Sequence, residues 1–136
     1  MVFHVDYWDR LGWKDPFASS GYTARQRAYV SARGGSRVYT PGFFLNGSEW
    51  RGFFSRRNIP DPENRQAGLL KAAQGGDGSW RITFKPADQS ILRWDVCAAR
   101  LGTGIRSDVK SGENHGRELS HDFTVLSFKQ SDMKQE

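Results

Sequence analysis

The sequence predicts a mixed α/β chain whose second half is a β-rich antiparallel unit. Three observations carry that expectation. The first half alternates short apolar runs with helix-forming stretches that carry start and stop signals. A glycine cluster, Gly75-Gly76-Asp77-Gly78, then interrupts the chain. Beyond it, segments alternate apolar and polar residues with the period-two pattern of half-buried strands. At 136 residues there is room for one domain or two small ones. The 37% hydrophobic content is low, but 13% aromatic residues argue for a packed chain over a disordered one. We place the division at 1–74 and 75–136.

Residues 2–7 read as a strand through Val2, Phe3 and Val5. They empty into a loop, residues 8–19, that concentrates Trp8, Trp13, Asp9, Asp15, Lys14 and Pro16. Connecting loops are ordinarily small and polar. One this rich in aromatic and ionisable groups is either packed on itself or part of a binding surface. Ser19 or Ser20 can cap a helix through Tyr22 to Val30 that stops at Gly34-Gly35. Val38-Tyr39-Thr40-Pro41 is a short extended approach to a proline. Phe43-Phe44-Leu45, Asn46-Gly47 and Ser48-Glu49-Trp50 form a hairpin, because Asn-Gly suits the two left-handed positions of a type I′ turn. Asp61-Pro62-Glu63 supplies a cap, a first-turn proline and an early acid, so a second helix is expected through Ala67, Leu69, Leu70 and Ala73.

In the second half, Trp80 to Phe84, Ile91 to Leu101 and Phe123 to Phe128 are strand candidates. Gly112-Glu113-Asn114-His115-Gly116 reads as a connector, and Lys129 to Glu136 as a polar, frayed end.

Charge and side-chain chemistry restrict the function classes. The net charge is +5, with Arg25, Arg27, Arg33, Arg37, Arg51, Arg56, Arg57 and Arg65 dispersed among acids in the first half. Scattered arginines do not make a phosphate-tracking stripe, so nucleic acid is a disfavoured partner. No apolar stretch has membrane-spanning length, and no basic-then-apolar leader opens the chain, so the expected location as written is cytoplasmic. Cys97 stands alone within Trp94-Asp95-Val96-Cys97-Ala98-Ala99 and is expected to be a buried small hydrophobe. His4, His115 and His121 show no metal-ligand spacing, and no cofactor motif is present. Asp6, Asp9 and Asp15 make an acid/base set only if they converge beneath a pocket. The blander expectation is that one of them pairs with Lys14 or Arg10 while the rings of Tyr7, Trp8 and Trp13 roof a sheet end.

The segments His4-Val5-Asp6-Tyr7-Trp8-Asp9, Gly12-Trp13-Lys14-Asp15-Pro16-Phe17, Thr23-Ala24-Arg25-Gln26-Arg27 and Val38-Tyr39-Thr40-Pro41 resemble the thioredoxin-like bacterial family called "domain of unknown function 1223". Ser107-Asp108-Val109, Gly112 to Arg117 and Leu119 are similar to its β-rich C-terminal region. The resemblance implies an incomplete thioredoxin-like unit followed by a β-rich unit, in a family that is typically periplasmic or secreted and has no established biochemical role. It also implies a preceding strand and a helix with a Cys-x-x-Cys pair, which these residues do not contain. That strand would lie between residues 2–7 and 42–46. A cis proline at Thr40-Pro41, shaping where a substrate backbone docks, is a further implication. With one thiol, disulfide exchange is not expected. The binding face would comprise Thr40, Pro41, Tyr7, Trp8, Trp13, Asp6 and Lys14, taking a peptide or protein, with a homodimer through exposed strand edges as a second expectation. The competing class is a basic module for an acidic partner such as nucleic acid.

Overall fold

The computed structural model describes residues 1–61, 66–90 and 93–134. It is a mixed α/β arrangement with one α-helix and a set of small two-stranded sheets among the described residues. Two compact units are present, each assembled from separate stretches. The first comprises Met1–Ile59 with Ala98–Lys129, and the second Pro60–Cys97 with Gln130–Glu136.

In the first unit, helix α1 spans Ser20–Ser31. Ser19 is its N-cap, with extended backbone and a hydroxyl that accepts from the Gly21 amide at 3.2 Å. The helix ends as expected: Gly34 takes φ +72°, and the Gly35 amide returns to the Val30 carbonyl at 3.0 Å. Thr23, only 3% exposed, is the helix residue buried against the opening segment. Its hydroxyl accepts from the Asp6 amide at 3.1 Å and donates to the Asp6 carboxylate at 2.5 Å.

Strands β1 (Phe44–Leu45) and β2 (Ser48–Glu49) form the expected hairpin, with Phe44 opposite Glu49 and Leu45 opposite Ser48. Asn46 and Gly47 take φ 49° and 74°, the pair of left-handed positions that this turn requires. The Thr40–Pro41 peptide is cis. Residues 2–7 do not form the expected strand. Only Val2 pairs, in a parallel bridge to Thr124, so the partner is a segment of the second half and not Phe43–Leu45. The reason lies in the backbone groups that a ladder would use. The His4 carbonyl is taken by the Ser19 amide, and the Asp6 amide by the Thr23 hydroxyl.

The remaining strands of this unit are β6 (Ile105–Asp108) and β7 (Glu118–His121), which are antiparallel and were not foreseen as strands. They flank the Gly112–Gly116 loop. Strands β5 (Arg93–Gly102) and β8 (Thr124–Lys134) pair with each other and each contributes to both units. β8 runs through Lys129–Lys134, so most of the end expected to fray is a strand; residues 135 and 136 lie outside the described set. The core is narrow: among the described residues, Val109 and Val125 are its buried aliphatics, beside buried Thr23 and Thr124. An aromatic cluster supplements it. Phe3 meets Tyr22 and Phe128 edge-on, and the Arg25 guanidinium lies over the Phe3, Tyr29 and Phe128 rings.

The second unit contains strands β3 (Gly68–Gln74) and β4 (Trp80–Pro86), antiparallel and fully registered from Gly68 opposite Pro86 to Gln74 opposite Trp80. This corrects the helix expected through Ala67, Leu69, Leu70 and Ala73; its start at Pro62 and Glu63 lies outside the described residues. Leu, Ala, Lys and Gln favour helix locally, but the glycine turn decides the outcome. Gly78 adopts φ +80°, the Gly75 amide bonds the Ser79 carbonyl, and Asp77 accepts from the Ser79 amide and hydroxyl. Cross-strand pairing then overrides intrinsic propensity. Ile91 and Leu92, expected to begin β5, lie outside the described residues. Cys97 is exposed, which corrects the expected buried thiol: its position on β5 leaves the side chain on an uncovered face.

Candidate functional site

The aromatic loop is shaped by its own polar groups. Trp8–Leu11 winds through a single 3₁₀ turn that closes on Gly12 at φ +105°. The Asp9 carboxylate accepts from the Asp15 amide at 3.2 Å, and Asp15 accepts from the Phe17 amide at 2.8 Å. The other Asp15 oxygen lies 2.5 Å from His4 Nδ1, so Asp15 pairs with His4 instead of Lys14 or Arg10. Burial alone would raise the Asp15 carboxyl. The His4 hydrogen bond, the Phe17 amide and the nearby His4 and His121 imidazoles outweigh it, and the pKa is lowered. The His4 and His121 rings are 5.3 Å apart, both stack edge-on with Phe17, and His121 Nε2 lies 2.6 Å from the Ser107 hydroxyl. Four separate segments thus meet in one polar cluster. Among the described residues, no three His, Cys, Asp or Glu side chains are placed to hold a metal ion.

The feature that completes the site is a contact between two loops a hundred positions apart. Gly12 and Gly112 face each other so closely that a Cβ on Gly12 would lie 3.4 Å from the Gly112 Cα. The Ser111 hydroxyl donates to the Gly12 carbonyl across the same junction. Gly112 itself has φ +78°, and a Cβ there would fall 3.1 Å from the Leu11 carbonyl oxygen. A larger residue at Gly112 would have to displace the Leu11 carbonyl and hold a left-handed backbone.

Between these loops lies a cavity of about 520 Å³. The opening segment and Thr40 form its floor, Trp8 and Trp13 its aromatic wall, and Ser111, Gly112, Glu113 and Asn114 the facing wall. Its volume falls within the range of small-ligand sites. Trp8 is 46% exposed, so part of its indole is wetted. A second cavity of about 400 Å³ lies on the other side of the opening segment, lined by Val5, Gln26, Tyr29, Pro41 and Phe44 among others. Thr40 borders both.

The sequence-derived candidates therefore separate. Trp8, Trp13 and Thr40 converge on the 520 Å³ cavity, and Pro41 lines the 400 Å³ one. Asp6 is engaged by Thr23. The Tyr7 hydroxyl donates to Gln26 at 3.3 Å, and Gln26 in turn donates to the Tyr39 carbonyl at 2.6 Å. Burial raises the Tyr7 pKa, against smaller lowering effects from Gln26 and Arg27. Lys14 is exposed and borders neither cavity. Sequence reasoning missed Glu113 and Asn114 as wall residues. Their one sequence signal was the pair of glycines that bracket them.

No curated protein matches the chain. A crystal structure of a protein from Agrobacterium tumefaciens is similar, at 26% identity and a TM-score of 0.64. The likeness covers 97% of this chain and 58% of that one, so the chain spans somewhat more than half of that protein's length. The family model described as "Protein of unknown function (DUF1223)" matches residues 1–136, and the chain belongs to that family.

Proposed function

We propose that this chain is a non-catalytic, thioredoxin-like portion of an exported protein, and that it binds a peptide or protein segment at the face where Trp8, Trp13 and Thr40 converge. The carrying observation is the 520 Å³ cavity, because it joins the aromatic loop, Thr40 and the Ser111–Asn114 loop in one concave surface. The sulfur chemistry argues against disulfide exchange. A mixed disulfide formed at Cys97, the chain's one cysteine, has no resolving thiol within the chain. Nucleic acid is a poorer reading of this face: among the described residues, Asp9, Asp15 and Glu113 border the cavity, whereas no Lys or Arg does.

Panning a phage-displayed peptide library against the wild-type chain and a Trp8→Ala/Trp13→Ala variant tests the reading. Enrichment of a peptide class on the wild type alone is expected; equal or no enrichment overturns it. Self-association through strand edges is proposed separately. The β3–β4 hairpin is a two-stranded sheet whose Leu69, Leu70 and Trp80 are 55%, 59% and 62% exposed. A sedimentation coefficient independent of concentration and equal to that of the monomer would rule this out.

A further inference from the structure

We propose that the cavity lined by Trp8 and Trp13 is selective for a cationic group, the ammonium of Lys or the guanidinium of Arg on a bound peptide. This rests on the peptide-binding reading and adds the chemistry that the ligand must present.

The first observation is the pair of indoles. Among aromatic rings, indole offers the most electron-rich face to a cation. Elsewhere in this molecule, cations already cover rings: Arg25 lies over Phe3, Tyr29 and Phe128, and Arg51 over Tyr39. Among the described residues, no cation lies over Trp8 or Trp13. These are two aromatic surfaces bordering a concave, ligand-sized space, with Trp8 left substantially in water.

The second observation is the sign of the local charge. The chain as a whole carries +5, yet among the described residues this cavity is bordered by Asp9, Asp15 and Glu113 and by neither Lys nor Arg. The three are not equivalent. Asp15 is held by His4 and the Phe17 amide. Asp9 commits one oxygen to the Asp15 amide. Glu113, exposed on the facing loop, forms no ion pair or hydrogen bond among the described residues. Neighbouring cations lie off the lining: Arg10, which donates to the Tyr7 carbonyl, does not border the space, nor do Lys14, Lys110 and Arg117. A cation beside the indoles therefore meets the Asp9 and Glu113 carboxylates on a lining that, among the described residues, holds neither Lys nor Arg. A peptide carboxylate or a phosphate would be repelled by the same groups.

Titration of four blocked tripeptides, glycine-X-glycine with X as Lys, Arg, Leu or Glu, tests this by isothermal calorimetry at low salt. n-Butylammonium chloride serves as a free-cation arm. Saturable binding of the Lys and Arg peptides is expected, stronger than that of the free amine, with none for Glu. Glu113→Gln, on an exposed loop, should weaken the cationic peptides about fivefold, and Trp13→Phe by a similar factor. If all four peptides bind alike, or Leu binds best, the cation assignment fails while the peptide reading stands. Binding of butylammonium equal to that of the peptides overturns the peptide source. If nothing binds, both fall. Far-ultraviolet circular dichroism of each variant distinguishes a lost site from a lost fold.

Discussion

Gly112→Ala probes the loop junction on which the site depends. The substituted residue would keep φ near +78°, a left-handed conformation that costs an L-residue about 1 kcal/mol. Its new methyl would also lie 3.1 Å from the Leu11 carbonyl oxygen, 3.4 Å from the Trp13 amide nitrogen and 3.5 Å from the Trp13 Cβ. The first distance is too short for a relaxed contact. Part of the aromatic loop must retreat, and overpacking of this kind adds about 1 kcal/mol. The expected total is about 2 kcal/mol. Gly116→Ala and Gly104→Ala provide the comparison: both positions have positive φ, 81° and 67°, but a Cβ at either meets nothing within 4 Å. They should cost about 1 kcal/mol each. Thermal unfolding followed by tryptophan fluorescence should therefore place Gly112→Ala roughly 4 °C below the two controls. Equal losses in all three variants would show that the two loops do not bear on each other, and the cavity built between them would go with that result.

Three other outcomes follow from single observations. Thr23→Val preserves shape but leaves the Asp6 amide and carboxylate without their buried partner; a loss of about 3 kcal/mol is expected in urea unfolding, and Thr23→Ser should recover most of it. Asp15 has a folded-state pKa below its ordinary 3.8, so its contribution is fully present above that value and is lost as pH falls through the lowered one. The stability gap between wild type and Asp15→Asn should then be widest near neutrality and close on acidification below about 3.8, whereas a gap unchanged at low pH would show that the carboxylate's charge is not what stabilises the loop. Cys97, being exposed, should react with a thiol reagent in the native protein, while insulin reduction stays at background.

What could be read from residues alone was local. The Ser19 cap and the Gly34-Gly35 stop bracket a helix within one stretch of chain, and Asn46-Gly47 specifies its hairpin through two backbone angles. The error at Leu69 to Ala73 has the opposite origin. Those residues favour a helix when taken by themselves, and the strand is imposed by partners from Trp80 to Lys85 across a tight turn. For the site, the excess of aromatic residues at Trp8 and Trp13 was visible because such side chains are unusual in a connector. Glu113 and Asn114 were not, since a glycine-flanked polar loop has an ordinary explanation as a turn. Nothing local to Gly12 or Gly112 announces that the two meet, and the pairing of His4 with Asp15 likewise depends on how the loop folds back.

The Gly12–Gly112 junction also sets an order of events during synthesis. A nascent chain that has emerged only as far as the β3–β4 hairpin carries both indoles but lacks the wall they face. A ligand at this cavity would be held only once residues 111–114 have been made and have turned back on the opening segment. Any ligand that stabilises the site would thereby favour chains that extend past this loop over those that stop before it.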